Sequence, residues 1–203
     1  MRILAFSDWR VQELEFLFRI LERLDQSVDL IVYAGDDINR FAEEGGNVFS
    51  KLAAETRTGK VLAVRGNDDF PLSGTIFEDA LPAEGDVLEG RGVHDLHREP
   101  YIEGDYVFLG LEGAIKGGPG LLVYSEEEID QHLREQYSGH EDKIPIVVSH
   151  VPPHGILDIG LRFGQRHIGS TSLRTFVEEV EPVVTICGHC HQFGGRSVEE
   201  NFG

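Results

Sequence analysis

Five short apolar runs punctuate the chain: Ile3–Phe6, Leu30–Ala34, Val61–Val64, Ile144–Val148 and Val183–Ile186. Each is brief, rich in Val, Ile or Leu, and bounded by polar or glycine-containing stretches, which is the pattern of buried strands. Helical periodicity lies between some of them. Gln12–Leu24 sets Leu14, Leu17, Leu21 and Leu24 on one face. Ser125-x-x-Glu128 reads as a capping box that opens a helix running to about Gln136. Ser170–Val180 reads as a further helix, stopped before Pro182. Tyr101–Leu111, with Glu103-Gly104-Asp105 at its centre, predicts a β-hairpin. Gly110–Gly120 is glycine-rich without the Lys-Ser/Thr ending of a phosphate-binding loop, and reads as a flexible loop. The order βαβαβ, hairpin, αβαβ predicts an α/β domain over 1–203, with a largely parallel core sheet, helices covering it and antiparallel additions.

Composition narrows the function. The chain has 203 residues, 36 Asp and Glu against 18 Lys and Arg, and a net charge of −18. Only Lys51, Lys60, Lys116 and Lys143 are lysines. That charge excludes a large nucleic acid as partner, though not a small nucleotide. No apolar run reaches the roughly 18 residues that a membrane crossing needs. The opening MRILAFSDWR is a strand rather than a signal peptide, so a cytoplasmic location and no membrane are expected.

Chemistry gathers where the strands end. Ile3–Phe6 is followed by Ser7-Asp8, and Leu30–Ala34 by Gly35-Asp36-Asp37. Val61–Val64 leads to Arg65-Gly66-Asn67-Asp68-Asp69, and Ile144–Val148 to Ser149-His150. Val183–Ile186 leads to Cys187-Gly188-His189-Cys190-His191. Ligands of open α/β sheets bind outside the carboxyl ends of the strands. Residues more than a hundred positions apart therefore converge on one cleft. Carboxylate, amide and imidazole donors suit Mn, Fe, Zn, Ni or similar divalent ions. The glycines before Asp36, Asn67 and His189 permit sharp turns and close approach. Asp69 reads as an orienter of its loop, and Asp37 as structural.

The last of these motifs fits a second pattern. Cys187-Gly188-His189-Cys190-His191 is also Cys-x-x-Cys-His, the attachment signal of a c-type haem, and contains a potential redox dithiol. Against haem stand the expected cytoplasmic setting and a single methionine, Met1, which leaves no Met axial ligand. Against the dithiol stands the lack of a helix start that would lower a thiol pKa.

Taken in order, Asp8-Trp9-Arg10, Gly35-Asp36, Gly66-Asn67-Asp68-Asp69, Ser149-His150 and Gly188-His189-Cys190-His191 resemble the motifs of the calcineurin-like metallophosphoesterases, of the small prokaryotic type. The segment from His150-Val151-Pro152-Pro153-His154-Gly155 to Gly169-Ser170 strengthens the likeness. The resemblance implies a four-layered α/β/β/α sandwich. It implies one metal held by Asp8, Asp36 and His191, and a second held by Asp36, Asn67, His150 and His189. A hydroxide between them would attack phosphorus in line, with charge on the phosphoryl oxygens stabilised by the metals.

Two positions depart from the family pattern. Arg10 stands where the family has a ligand His; a guanidinium cannot ligate but can bind phosphate oxygens bidentately. Asp68 stands where the family has a His that helps to protonate the leaving group. Asp68 donates a proton only if its environment keeps it protonated, so substrates with good leaving groups are favoured. His167, just before the helix start at Ile168-Gly169-Ser170, is a second candidate substrate contact, and His154 lies in the same loop. His94, His97, His132 and His140 read as surface residues. The expected activity is hydrolysis of a phosphoester, a phosphodiester before a monoester, with one or two divalent ions, manganese among them. The alternative is a scaffold or binding protein that keeps the fold and one metal but little catalysis. Few residues follow His191, so the exposed sheet edge leaves room for a partner, and a homo-oligomer stays among the options.

Overall fold

The fold is that of a computed structural model, which describes residues 1–9, 13, 15–38, 41, 48–69, 87–118, 120–161 and 164–201. Four parallel strands, β1 (Ile3–Phe6), β2 (Leu30–Ala34), β3 (Val61–Val64) and β4 (Val93–Asp95), form the first sheet in sequence order. The second sheet contains β5 (Tyr101–Glu103), β6 (Tyr106–Leu111), β9 (Ile144–Ser149) and β12 (Val184–Cys187), in the order β12-β9-β6-β5. The strands β12, β9 and β6 are parallel, and β5 returns antiparallel through the predicted hairpin. Between these strands lie two small pairs. One is β7 (Ala114–Ile115) with β8 (Val123–Tyr124); the other is β10 (Ile159–Gly160) with β11 (Arg166–His167). The described helices are α1 (Glu15–Arg23), α2 (Val48–Ala54), α3 (Glu126–Tyr137) and α4 (Thr171–Val180). None of them is long and apolar enough to cross a membrane.

The alternation of side chains along each strand assigns the layers. In β2, Leu30, Val32 and Ala34 pack with Leu62, Val64, Phe108, Ile146 and Val148, so this apolar layer lies between the two sheets. Ile31 and Tyr33 point the other way, onto Leu17 of α1 and Phe49 and Leu52 of α2. In the second sheet, Val107, Leu109, Leu111 and Val147 pack outward onto Ile129 and Leu133 of α3 and Leu173 and Phe176 of α4. Three apolar layers separate helix, sheet, sheet and helix, which is the α/β/β/α sandwich that the resemblance implied.

Periodicity alone had suggested one core sheet, and there are two. A strand apolar on both faces reads the same whether its second face meets helices or another sheet. The glycine-rich segment also differs from expectation. Gly110 and Leu111 belong to β6, and residues after them form the β7–β8 pair. The N–H groups of Leu121 and Leu122 donate to the Asn67 carbonyl at 2.9 and 3.3 Å, so this segment braces a strand-end loop.

Candidate metal centre

Each sheet delivers part of one cluster. Asp8 follows β1, Asp36 follows β2 and Asn67 follows β3; His150 follows β9, and His189 and His191 follow β12. The turns that carry them are tight. Asp8, Asp36, Asp37 and His189 all have positive φ, at 52°, 62°, 103° and 68°. Non-glycine residues adopt this region at an energetic cost, and such strain collects at functional sites. Gly66 is needed here because a Cβ on it would lie 2.1 Å from Asp36 Oδ1. Asp69 holds the two loops together. Its buried carboxylate accepts from the N–H groups of Asp36, Asp37 and Gly66 at 2.8 Å and of Ile38 at 2.7 Å. Burial pushes the Asp69 carboxyl up to about 6, against the backbone hydrogen bonds that pull it down.

The centre of the cluster is Nε2 of His150, a fully buried ring. Its Nδ1 lies 2.7 Å from the Ala34 carbonyl oxygen, which can only accept, so Nδ1 carries a proton and Nε2 is the nitrogen left to offer a lone pair to a metal ion. Facing that nitrogen are Asn67 Oδ1 at 3.0 Å, His189 Nδ1 at 3.2 Å and Asp36 Oδ1 at 3.6 Å. The Asn67 amide is fixed in this sense because its Nδ2 donates to Asp68 Oδ1 at 3.0 Å. Burial, and then the neighbouring His150, push His189 down to about 4, which keeps it neutral near pH 7. Asp36 Oδ1 also accepts the Asp68 N–H at 3.1 Å, and His189 Nδ1 is close enough to Nε2 of His150 to share one proton with it. Lone pairs gathered this closely away from water repel unless a cation lies between them.

The second half of the cluster is more open. Asp8 Oδ2 accepts the His189 N–H at 3.0 Å. Its Oδ1 is buried with no hydrogen-bond partner among the described residues, although His191 Nε2 lies 3.0 Å away in poor alignment. One ligand atom each from Asp8, Asp36 and His150 lie within 4.8 Å of one another. An orphaned carboxylate oxygen beside an imidazole nitrogen fits a second cation, with Asp36 common to both sets. His191 is half exposed and His150 fully enclosed, so the two sets differ in their access to solvent.

The structure thus brings together Asp8, Asp36, Asn67, His150, His189 and His191. Asp68 is exposed and points its Oδ1 at Asn67. Arg10 lies outside the described residues. His167 is not gathered into this cluster; its Nδ1 is 2.7 Å from Asp158 Oδ1, in a group with His154. Asp158 is the residue that the sequence did not single out, since it follows no strand and precedes no motif. His94, His97, His132 and His140 are all partly buried, against the surface positions expected for them. His97 stacks on His132 at 4.1 Å beside the buried Arg65, Asp95 and Glu112, so they belong to a polar network between sheet and helix. Cys187 and Cys190 are free thiols. Burial pushes them up to about 11 and about 12, the opposite of the low pKa of a redox dithiol.

Solved structures share this fold. A solved crystal structure matches with a TM-score of 0.61 at 19% identity, over 93% of this chain and 83% of that one. The crystal structure of TT1561 of Thermus thermophilus matches with a TM-score of 0.60 at 16% identity, over 92% of this chain and 80% of that one. These likenesses carry the fold. No curated protein matches. The family model for calcineurin-like phosphoesterases matches residues 1–193, a span that includes every residue of the cluster. A four-layered sandwich, donors at five strand ends and this match lead to one conclusion: the chain belongs to the calcineurin-like phosphoesterase family.

Proposed function

We propose that this chain hydrolyses phosphodiesters with good leaving groups, using divalent ions held by two overlapping donor sets. One set is Asp36, Asn67, His150 and His189; the other is Asp8, Asp36 and His191. The carrying observation is Nε2 of His150 faced by three further donor atoms within 3.6 Å. Divalent ions held there supply Lewis acidity to a phosphoryl oxygen and lower the pKa of water. The protein's own groups do the positioning. The Ala34 carbonyl fixes the His150 tautomer, and the Asp69 carboxylate fixes the backbone that presents Asp36. Asp68 acts as the orienter of Asn67, since it accepts the amide N–H whose other end faces His150. In that role it is an acceptor rather than a proton donor, and a leaving group must depart unaided. That favours aryl phosphodiesters over alkyl phosphomonoesters. Arg10, four positions past the end of β1, remains the candidate for contact with phosphate oxygens.

The test is metal content per chain, measured beside hydrolysis of bis(p-nitrophenyl) phosphate and p-nitrophenyl phosphate with added Mn²⁺. Two ions per chain at the proposed sets, faster diester turnover, and a loss of at least about a hundredfold in Asp36→Ala support this reading. One ion and no turnover would instead favour a binding protein on the same fold. Faster monoester turnover would remove the diester assignment.

A further inference from the structure

A second group of donors lies in the segment between His150 and α4, and it is built rather than incidental. The segment is pinned at both ends. The His154 N–H donates to the Ser170 carbonyl and the Ser170 N–H to the Pro152 carbonyl, each at 2.9 Å. Within it, β10 pairs with β11 so that Ile159 lies opposite His167, and the Ile168 N–H donates to the Asp158 carbonyl at 2.9 Å. Asp158 is 1% exposed. Its Oδ2 is held by the N–H groups of Gly155 at 2.9 Å and Gly169 at 3.3 Å, which leaves Oδ1 directed at the imidazoles. His167 Nδ1 is 2.7 Å from that oxygen, and the His154 ring lies 4.9 Å from the His167 ring, centroid to centroid. Both rings are exposed. His154 makes no side-chain hydrogen bond to any described residue, so the Asp158–His167 contact alone does not explain its position. One ligand atom from each of the three lies within 4.8 Å of the others.

We propose that His154, Asp158 and His167 form a divalent transition-metal site of their own, separate from the donor sets around Asp36. Two imidazoles and one carboxylate suit Ni²⁺, Co²⁺, Fe²⁺ or Zn²⁺, and a facial arrangement leaves open positions for water or an anion. A cation about 2.1 Å from both His167 Nδ1 and Asp158 Oδ1 would see them at about 80°, close to the cis angle of an octahedron. Backbone donors on the second carboxylate oxygen are the kind of outer support that orients metal-ligating groups. The neighbouring Pro153, Ile156 and Leu157 line the same groove as Asp8, Cys190 and His191. The net charge of −18 raises the local concentration of any cation. The inference does not depend on the hydrolytic reading.

Calorimetric titration of the metal-stripped full chain with Ni²⁺ tests it. The wild type should bind one more equivalent than His154→Ala/His167→Ala, whose exposed positions leave the fold intact. Asp36→Asn/His150→Ala should retain that equivalent while losing binding at the main cluster. His154→Ala alone should weaken it at least about tenfold. Asp158→Asn, which keeps the side chain's size, should weaken it as well. Equal stoichiometry and affinity in the wild type and His154→Ala/His167→Ala would overturn the proposal. So would binding that is indifferent to Asp158→Asn, which would reduce the site to a surface imidazole pair. Loss of the equivalent in Asp36→Asn/His150→Ala would likewise overturn it, by placing the ion at the main cluster.

Discussion

Asp69 accepts hydrogen bonds from four backbone N–H groups contributed by two strand-end loops, so its work is to hold the positive-φ turn at Asp36 in place. Asp69→Ala would leave those donors unpaired at a buried position, at about 1–3 kcal/mol each before relaxation and water entry. Urea unfolding of the metal-stripped protein should show a loss of at least about 3 kcal/mol; a loss below about 1 kcal/mol would show that water replaces the carboxylate. Gly66→Ala tests the same turn from its other side. The added methyl falls 2.1 Å from Asp36 Oδ1 and 2.4 Å from Asp36 N, so the carboxylate must move. Metal affinity at the main cluster should fall at least about tenfold, as read by Mn²⁺ titration; unchanged affinity would mean that Asp36 is not placed by this contact. At this scale the sequence was informative about residue type. Asp8, Asp36, Asn67, His150, His189 and His191 are legible because each follows an apolar run. Asp69 was legible as an orienter. Asp158 was not, because its importance arises from a fold of the loop that brings Gly155, His167 and Gly169 back to it.

The two outer helices of the second sheet are joined by their own capping groups. Ser125 and Glu128 form the predicted capping box, with the Ser125 N–H donating to Glu128 Oε2 at 2.7 Å and the Glu128 N–H to Ser125 Oγ at 3.2 Å. Glu126, the first residue of α3, reaches across to the start of α4. It accepts the Ser170 hydroxyl at 2.6 Å and the N–H groups of Thr171 and Ser172 at 2.9 Å each. The box was readable because it is local in sequence. The cross-helix cap was not, because it exists only once α3 and α4 pack side by side. Partial burial raises the Glu126 carboxyl, but the hydrogen bonds from Ser170, Ser172 and Thr171 together outweigh it and hold the carboxyl below its ordinary value. The folded chain therefore binds fewer protons there than the unfolded one, and the contribution is complete above the ordinary glutamate range and lost as pH falls through the folded value. Glu126→Ala should cost about 1 kcal/mol at pH 7. The gap in unfolding free energy between wild type and variant should hold from pH 7 down to the ordinary glutamate range and narrow below it, towards pH 3. A gap that stays constant would place the stabilisation in packing rather than in the charged cap.

At the scale of the molecule, the main cluster is where the two sheets meet. Asp8, Asp36 and Asn67 come from the ends of the first sheet, His150, His189 and His191 from the ends of the second. His150 already bridges them through its hydrogen bond to the Ala34 carbonyl. The apolar layer between the sheets brings those ends together but cannot neutralise what it gathers, since Nε2 of His150, Asn67 Oδ1, His189 Nδ1 and Asp36 Oδ1 are left facing one another. Hydrophobic periodicity could locate the strands but not divide them between two sheets; the division became legible only through the resemblance of the ordered strand-end motifs. The same geometry makes stability and metal binding one property. Ions bound to both sets would stabilise the folded chain alone, by about 2.7 kcal/mol for each site at a free concentration of 100 Kd. In a chain of this size, each kcal/mol moves the melting temperature by roughly 2–4 °C. Chelation should therefore lower Tm by about 5–10 °C for each ion removed, about 10–20 °C for both, and readdition of Mn²⁺ should restore it. Asp36→Asn should start from a lower Tm and lack the part of both responses that belongs to the main cluster. If chelator leaves the wild-type Tm in place, or if Asp36→Asn responds as the wild type does, the ions do not join the two sheets.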